Sequence, residues 1–140
     1  MLGYLDSSVA LRRILLGEAA IFQVFNCESV VSSELLEVEC RRVIYRYRMD
    51  GDIDDEGLIQ AFERLEMILK GISILALSRT IKKRAMGPFP VSIKTLDALH
   101  LASALVLAEN RQDETILIFS HDVAMNRCAR ALGFSTPFLE

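Results

Sequence analysis

Apolar positions along the chain alternate between short continuous runs, which suit buried strands, and runs that recur every three or four residues, which suit helices. "LGYL" at 2–5 reads as a short buried strand and "SSVALRRILLG" as a helix closing at Gly17. "SVV" at 29–31 is a second short strand. It leads into "SSELLEVECRRVIYRYRMDG", where Leu35, Leu36, Val38, Val43, Ile44 and Tyr47 recur at helical spacing up to Gly51. "IDDEGLIQAFERLEMILKG" repeats the pattern, with acids in its first turn, where the helix dipole favours them, Lys70 near its end and Gly71 closing it.

Further on, "ISILAL" at 72–77 reads as a strand, "SRTIKKRAMG" as a short helix, and "GPFPVSIK" as a loop marked by Pro88 and Pro90. "TLDALHLASALVLAEN" is a helix apolar on nearly every side, and so expected to be buried. "TILIF" at 115–119 is a continuous apolar strand, and "DVAMNRCARALG" a final helix. This alternation implies a three-layer α/β/α sandwich around a mainly parallel central sheet with buried strands. No repeat, low-complexity tract or linker divides residues 1–140, which are expected to form a single domain.

In such folds ligands gather beyond the carboxyl ends of the strands. Asp6 directly follows the first strand and Asp122 lies three residues after the last, so both are expected at one sheet edge. Asp97, in the first turn of the buried helix, is desolvated unless it complements the helix dipole, pairs or binds a cation. Glu37 and Glu39 follow the second strand; two residues apart on a helix, they point about 200° from each other, so at most one faces that edge. Each acid also has an ordinary reading: Asp6 and Asp122 as helix caps, Asp97 as a dipole partner, Glu39 as a solvated surface residue. Their joint convergence would serve a different purpose. Hard cations such as Mg²⁺ or Mn²⁺ take oxygen ligands, and in pairs they activate water and stabilise the leaving oxygen of a phosphodiester.

Composition narrows the classes. With 51% hydrophobic residues in 140 the chain can bury a substantial core. A net charge of −3 excludes nucleic-acid binding through a global positive field, so any such site must be local. Cys27, Cys40 and Cys128 are odd in number and form no C-x-x-C pair, which points to buried free thiols rather than a disulfide framework or zinc site. No apolar run is long enough to span a bilayer, and Asp6 interrupts what would be a signal peptide. A reducing, cytoplasmic location and no membrane partner are expected.

The segments "YLDSS", "SSELLEVECRRV", "LDALHLASAL" and "FSHDVAMNRCARALGF", in this order, resemble the PIN-domain family, particularly the VapC-type toxins of prokaryotic toxin–antitoxin pairs. The resemblance spans essentially the whole chain. It implies a metal-dependent endoribonuclease, with Asp6, Glu39, Asp97 and Asp122 as the acids that bind Mg²⁺ or Mn²⁺. Glu39 is preferred over Glu37 because the family pattern sets its glutamate six residues after the serine that opens this helix, here Ser33, and shortly before Arg42. It further implies an RNA substrate, a cognate antitoxin lying across the toxin's helices, and a homodimer. A mean hydropathy of +0.29 is compatible with apolar area left for partners.

Supporting roles are assigned around this set. Ser7 would orient substrate or a ligand water, and Ser120, where the family often has threonine, would bond a phosphate or Asp122. His100, three residues after Asp97, would support the site from the core, and Asn126, one turn after Asp122, would assist a ligand water. His121 reads as an edge residue. Arg42 and Arg46, within the basic run "RRVIYRYR", and Lys94, ahead of Asp97, are candidates to hold RNA phosphates, with a second basic run at "TIKKR"; Tyr45 and Tyr47 would stack on bases or pack in the core.

Two other readings compete. One is a non-catalytic module that keeps the fold, against which the complete acid set argues. The other is a phosphoryl-transfer hydrolase with Asp6 as nucleophile; such enzymes carry a second acid two residues on, where this chain has Ser8.

Overall fold

The computed structural model describes residues 1–139. Its core is a four-stranded sheet in the order β3-β2-β1-β4, with every pair parallel. The strands are β1 (Leu2–Leu5), β2 (Ser29–Ser33), β3 (Ser73–Leu75) and β4 (Ile116–Phe119). Seven helices connect or follow them: α1 (Ser7–Leu16), α2 (Ile21–Val24), α3 (Leu35–Met49), α4 (Asp55–Lys70), α5 (Arg79–Ala85), α6 (Thr95–Asn110) and α7 (Val123–Ala131). Parallel strands require crossovers, and these helices supply them on both faces, giving the expected α/β/α sandwich.

The period-2 alternation of the strands divides the core in two. Leu5, Val30 and Phe119 face a cluster built with α1 to α4, around Val9, Ile14, Leu36, Ile44 and Leu65. Leu2, Tyr4, Val31, Ile116 and Ile118 face the other cluster, with Leu101, Ala104 and Leu107 of α6 and Met125 and Cys128 of α7. Gly3 on β1 keeps a central position free of a side chain because a Cβ there would come within 3.1 Å of the Phe119 ring and 3.2 Å of Cys27 Sγ. Helix α6 is the buried helix its sequence implied, with Ala98, His100, Leu101, Ala102, Ser103, Ala104 and Leu107 all buried.

Three details depart from the sequence reading. The strand expected at 72–77 pairs only over Ser73–Leu75, and its residues are exposed or half-buried because it is an edge strand with β2 on one side alone. The strand expected at 29–31 extends to Ser33, since Ser32 and Ser33 pair with Ile74 and Leu75. Helix α2 is a single turn, too short for a periodic signal. Beyond α7, Ile118 N donates to Ser135 O at 2.9 Å and Leu117 bridges Ser135 in parallel, so residues following α7 cover the outer edge of β4 and advance in the same direction as that strand.

Cys40 and Cys128 are buried and Cys27 is half-buried, all as free thiols. Burial, reinforced by the charges of Glu39 and Asp6, pushes the Cys40 thiol up to about 12, so it stays protonated and inert. Among the described residues no helix is long and apolar enough to cross a membrane.

Candidate active site

Because all strands are parallel, their carboxyl ends lie at one edge, and β1 is the switch point, with β2 and β3 laid down on one side of it and β4 on the other. Asp6 follows β1 there and is only 4% exposed. Its Oδ2 accepts from Ser8 Oγ at 2.6 Å, from Ser120 Oγ at 2.8 Å and from Ser8 N at 3.4 Å. Asp6 thus caps α1 and is tied to the end of β4 by the same oxygen. The cap and the site are not alternatives, since among the described residues no hydrogen bond engages Oδ1.

Ser120 connects two acids: its Oγ donates to Asp6 and accepts from Asp122 N at 3.0 Å. Ser8 mirrors it, with an Oγ that donates to Asp6 and accepts from His121 N at 2.9 Å. Two hydroxyls therefore staple the turn after β1 to the turn after β4. Asp122 caps α7 through Oδ1, which accepts from Met125 N at 2.7 Å, and Oδ2 is not engaged by that bond.

Glu39 faces this edge and Glu37 does not. Glu39 Oε1 accepts from His100 Nε2 at 2.5 Å, and Oε2 accepts from Ser7 Oγ at 3.2 Å. Glu37 instead pairs with Arg41 at 2.7 Å, one turn on along the outer face of α3. Ser7 thus holds Glu39 in place. His100 is fully buried, with Nδ1 against Tyr4 Oη at 2.8 Å. A neutral ring that gives its Nε2 proton to Glu39 accepts the Tyr4 hydroxyl proton at Nδ1. Burial opposes protonation of His100, but the Glu39 hydrogen bond and the charges of Glu39, Asp6 and Asp97 outweigh it, so the pKa lies above the ordinary histidine value.

Asp97, on the first turn of α6, is half-buried, and among the described residues no hydrogen bond reaches its carboxylate. Burial first, then the charges of Asp122, Asp6 and Glu39, push its pKa up to about 6, against a smaller opposing effect of His100. That repulsion is the electrostatic sign that the four acids are neighbours. Among the described residues, however, no three His, Cys, Asp or Glu side chains already converge on a single ligand point. Without a cation, like charges have no reason to close further, and Asp6, Glu39 and Asp122 are each held by donors of their own. The donor set is nonetheless what a hard divalent cation takes: carboxylate oxygens only, with oxygens of Asp6 and Asp122 unused and Asp97 short of positive charge.

Asn126 is 2% exposed and clamps the turn after β4 through Nδ2, which donates to Ser120 O at 2.8 Å; its Oδ1 has no partner among the described residues. His121 stacks on Phe138 at 5.0 Å between ring centroids, and burial together with the Arg12 guanidinium lowers its pKa from the ordinary value. Arg42 and Arg46 are exposed and lie three and seven residues after Glu39, on its stripe of α3. Arg41 and Arg48 of the same helix are instead committed to ion pairs with Glu37, Glu66 and Asp55. Lys94, also exposed, precedes α6 and stands three residues before Asp97. Tyr45 meets Phe62 edge-on at 5.3 Å. Ser8 and Tyr4 were missed as site residues; for Ser8 the signal was a second hydroxyl beside Asp6.

Comparison with known proteins accords with this arrangement. Ribonuclease VapC47 of Mycobacterium tuberculosis (strain CDC 1551 / Oshkosh) is 28% identical over 141 residues, covering 95% of this chain and 93% of the relative. A crystal structure of VapBC2 from Rickettsia felis bound to a DNA fragment from their promoter matches with a TM-score of 0.66 at 13% identity, covering 97% of both chains. At that identity the likeness speaks for the fold. The PIN domain model matches residues 3–131, which include all four acids; the chain belongs to the PIN domain family.

Proposed function

We propose that this protein is a metal-dependent endoribonuclease of the toxin type, hydrolysing RNA phosphodiester bonds at a site made of Asp6, Glu39, Asp97 and Asp122. The observation that carries the reading is Asp97: a half-buried carboxylate with no hydrogen bond among the described residues, raised to about 6 by burial and by the three other acids. Such frustration is costly for a fold and useful for a cation site. The family and the similarity to a ribonuclease support the substrate class.

Asp6, Glu39, Asp97 and Asp122 would hold Mg²⁺ or Mn²⁺, which when bound supplies an activated water and charge stabilisation for hydrolysis of a phosphodiester. The chain's own residues prepare this. Ser8 and Ser120 fix the Asp6 carboxylate from one side, leaving Oδ1 for a ligand. His100 and Ser7 orient Glu39, the imidazole being locked in turn by Tyr4. Helix α7 is held to the same edge by the Asp122 cap and the Asn126 clamp. Arg42, Arg46 and Lys94 offer exposed cations for RNA phosphates around an otherwise acidic centre.

The reading extends to a cytoplasmic protein, a homodimer, and inhibition by a cognate antitoxin. The matched structure, a VapBC2 assembly, supports the antitoxin. So does an apolar recess of about 600 Å³ between α2 and α4, flanked by the exposed Phe22 and Met67. Phosphoryl transfer through an Asp6 nucleophile is disfavoured, because Ser8 occupies the position of the second acid that such enzymes carry.

The test is cleavage of single-stranded, hairpin, transfer and ribosomal RNA with Mg²⁺, Mn²⁺ or EDTA, comparing the native chain with Asp97→Asn. Cuts that require metal and disappear in the folded variant are expected. Full activity in folded Asp97→Asn overturns the site, and absence of any metal-dependent cut by antitoxin-free protein favours the non-catalytic module.

A further inference from the structure

Resting on the ribonuclease reading, we infer that a basic cleft beside the acids, formed by Arg12, Arg127 and Arg130 around the His121–Phe138 stack, receives the nucleotide next to the cut in single-stranded RNA. The cleft is an open concavity of about 710 Å³ lined by these residues and by Asn126. It lies outside the RNA-binding stripe of α3, and its three arginines are nowhere near the basic runs that the sequence brings to notice.

Several independent observations converge on it. Arg127 and Arg130, three residues apart on α7, present two guanidiniums on one exposed face, and the buried Asn126 completes the lining. Arg127 and Arg130 are exposed, and no ion pair engages either of them among the described residues. Arg12 contributes a third guanidinium from α1, with Glu18 at 3.8 Å as its only ion-pair partner among those residues. In a chain of net charge −3, such a concentration of positive charge marks a surface for anions.

The wall is aromatic. His121 and Phe138 stack with an interplanar angle of 8°, and Phe138 is braced edge-on by Phe119 at 5.3 Å. Phe138 reaches this position because the segment after α7 bridges β4 in parallel and runs toward the edge where the acids lie. Two polar atoms in the lining are also without partners among the described residues: Asn126 Oδ1, on a side chain 2% exposed, and His121 Nε2. A buried acceptor that nothing satisfies calls for a donor from a ligand. The amino and imino groups of a nucleobase are such donors, its rings match the aromatic wall, and its phosphate matches the arginines.

Position selects RNA over an acidic peptide. His121 adjoins Asp122 in the chain and Asn126 follows it by one turn, so the cleft begins where the carboxylates end. A polynucleotide whose phosphodiester lies over the acids necessarily presents a flanking nucleotide on each side. The α3 stripe of Arg42 and Arg46 serves one flank and the α7 cleft the other. The base must be free of a duplex partner to enter, which specifies a single-stranded region.

The experiment measures binding of a short fluorescein-labelled single-stranded RNA of mixed sequence in EDTA, by anisotropy over a range of salt, to the native chain, to Arg127→Ala/Arg130→Ala and to Phe138→Leu. Circular dichroism establishes that each variant is folded. The double arginine variant is expected to lose roughly tenfold in affinity and to flatten the salt dependence by about 1.4 in log–log slope, the share of two phosphate contacts on a single strand. Phe138→Leu is expected to bind roughly fivefold more weakly with the slope unchanged, as for lost stacking. Native-like affinity and slope in the folded arginine variant overturn the inference, as does a native chain that does not bind this RNA. If the arginine variant keeps RNA binding but loses affinity for a polyglutamate peptide, the cleft is a protein-docking surface and the inference falls. Metal-dependent cleavage that persists alongside either result leaves the ribonuclease reading standing, whereas the absence of cleavage on every RNA overturns that reading whatever the binding assay reports.

Discussion

His100 Nε2 lies 2.5 Å from Glu39 Oε1, joining residues 61 apart in the chain through a ring that is fully buried. The carboxylate belongs to the sheet edge and the imidazole to the core, where Tyr4 holds its other nitrogen. Truncation to His100→Ala would leave the Tyr4 hydroxyl and Glu39 without this partner and open a cavity, at a cost of about 3 kcal/mol in urea unfolding. The more specific test is His100→Gln, whose amide still fills space and can donate. In that variant the Mn²⁺ concentration giving half-maximal cleavage is expected to rise about 10- to 100-fold, as for loss of a partner that orients a ligand. An unchanged metal requirement would reduce His100 to a packing residue.

Asp97 sets a pH signature. Its folded pKa of about 6 exceeds the ordinary value of 3.8, so between these values the folded state binds the extra proton. Stability contributed by this group is therefore full below about pH 4 and lost as pH rises through about 6. The shift corresponds to about 3 kcal/mol at face value, and solvent at the half-exposed carboxylate reduces this to ~1–2 kcal/mol. Asp97→Asn removes the charge and should stabilise the metal-free protein by that amount at pH 7.5 in urea melts. At pH 4 the gain should vanish. A variant less stable than the native chain at pH 7.5 would show that Asp97 is paired in solution.

Glu37 and Glu39 provide a matched pair of substitutions on one helix. Glu37→Gln breaks an exposed ion pair with Arg41 and should change stability by less than about 0.5 kcal/mol, with cleavage unaltered. Glu39→Gln removes a negative oxygen from the acid set and should lower cleavage at least about a hundredfold. Quantified RNA cleavage by the two folded variants decides between them; equal losses would mean that the helix, not the carboxylate, matters.

The architecture was legible because it rests on period. The apolar runs of β1 and β4 and the stripes of α3 and α4 are local properties, and alternation of strands and helices leaves few topologies. Asp6 and Asp122 were visible because a parallel sheet carries every strand end to one edge. The choice of Glu39 over Glu37 drew on a family resemblance, since helical geometry alone says only that the two diverge. What stayed hidden depends on long-range packing. Tyr4 and His100 are 96 residues apart, and neither betrays the other. Ser7 was assigned a role toward substrate or a ligand water because its neighbour is Asp6; its hydrogen bond to Glu39, from a different helix, had no signal in the sequence. Arg127 and Arg130 read as the polar face of an ordinary final helix until Phe138, carried along the edge of β4, closes a wall beside them.

The last prediction concerns the link between the two outer acids. Ser120 is fully buried at the end of β4, and its single hydroxyl donates to Asp6 while accepting the amide of Asp122. Ser120→Ala leaves the partly buried Asp122 N–H without that acceptor and removes one of the donors that fix Asp6. Stability should fall by about 1–3 kcal/mol. Metal-dependent cleavage should fall as well, because the turns after β1 and β4 then rely on Ser8 alone as their hydroxyl staple. Ser120→Thr keeps the hydroxyl and should retain cleavage, its added methyl costing less than about 1.5 kcal/mol if the buried site adjusts around it. Thermal melts and cleavage rates of the two variants separate the hydroxyl from the volume: comparable activity in the alanine and threonine proteins would mean that the hydroxyl is dispensable and that backbone packing alone keeps Asp6 and Asp122 at one edge.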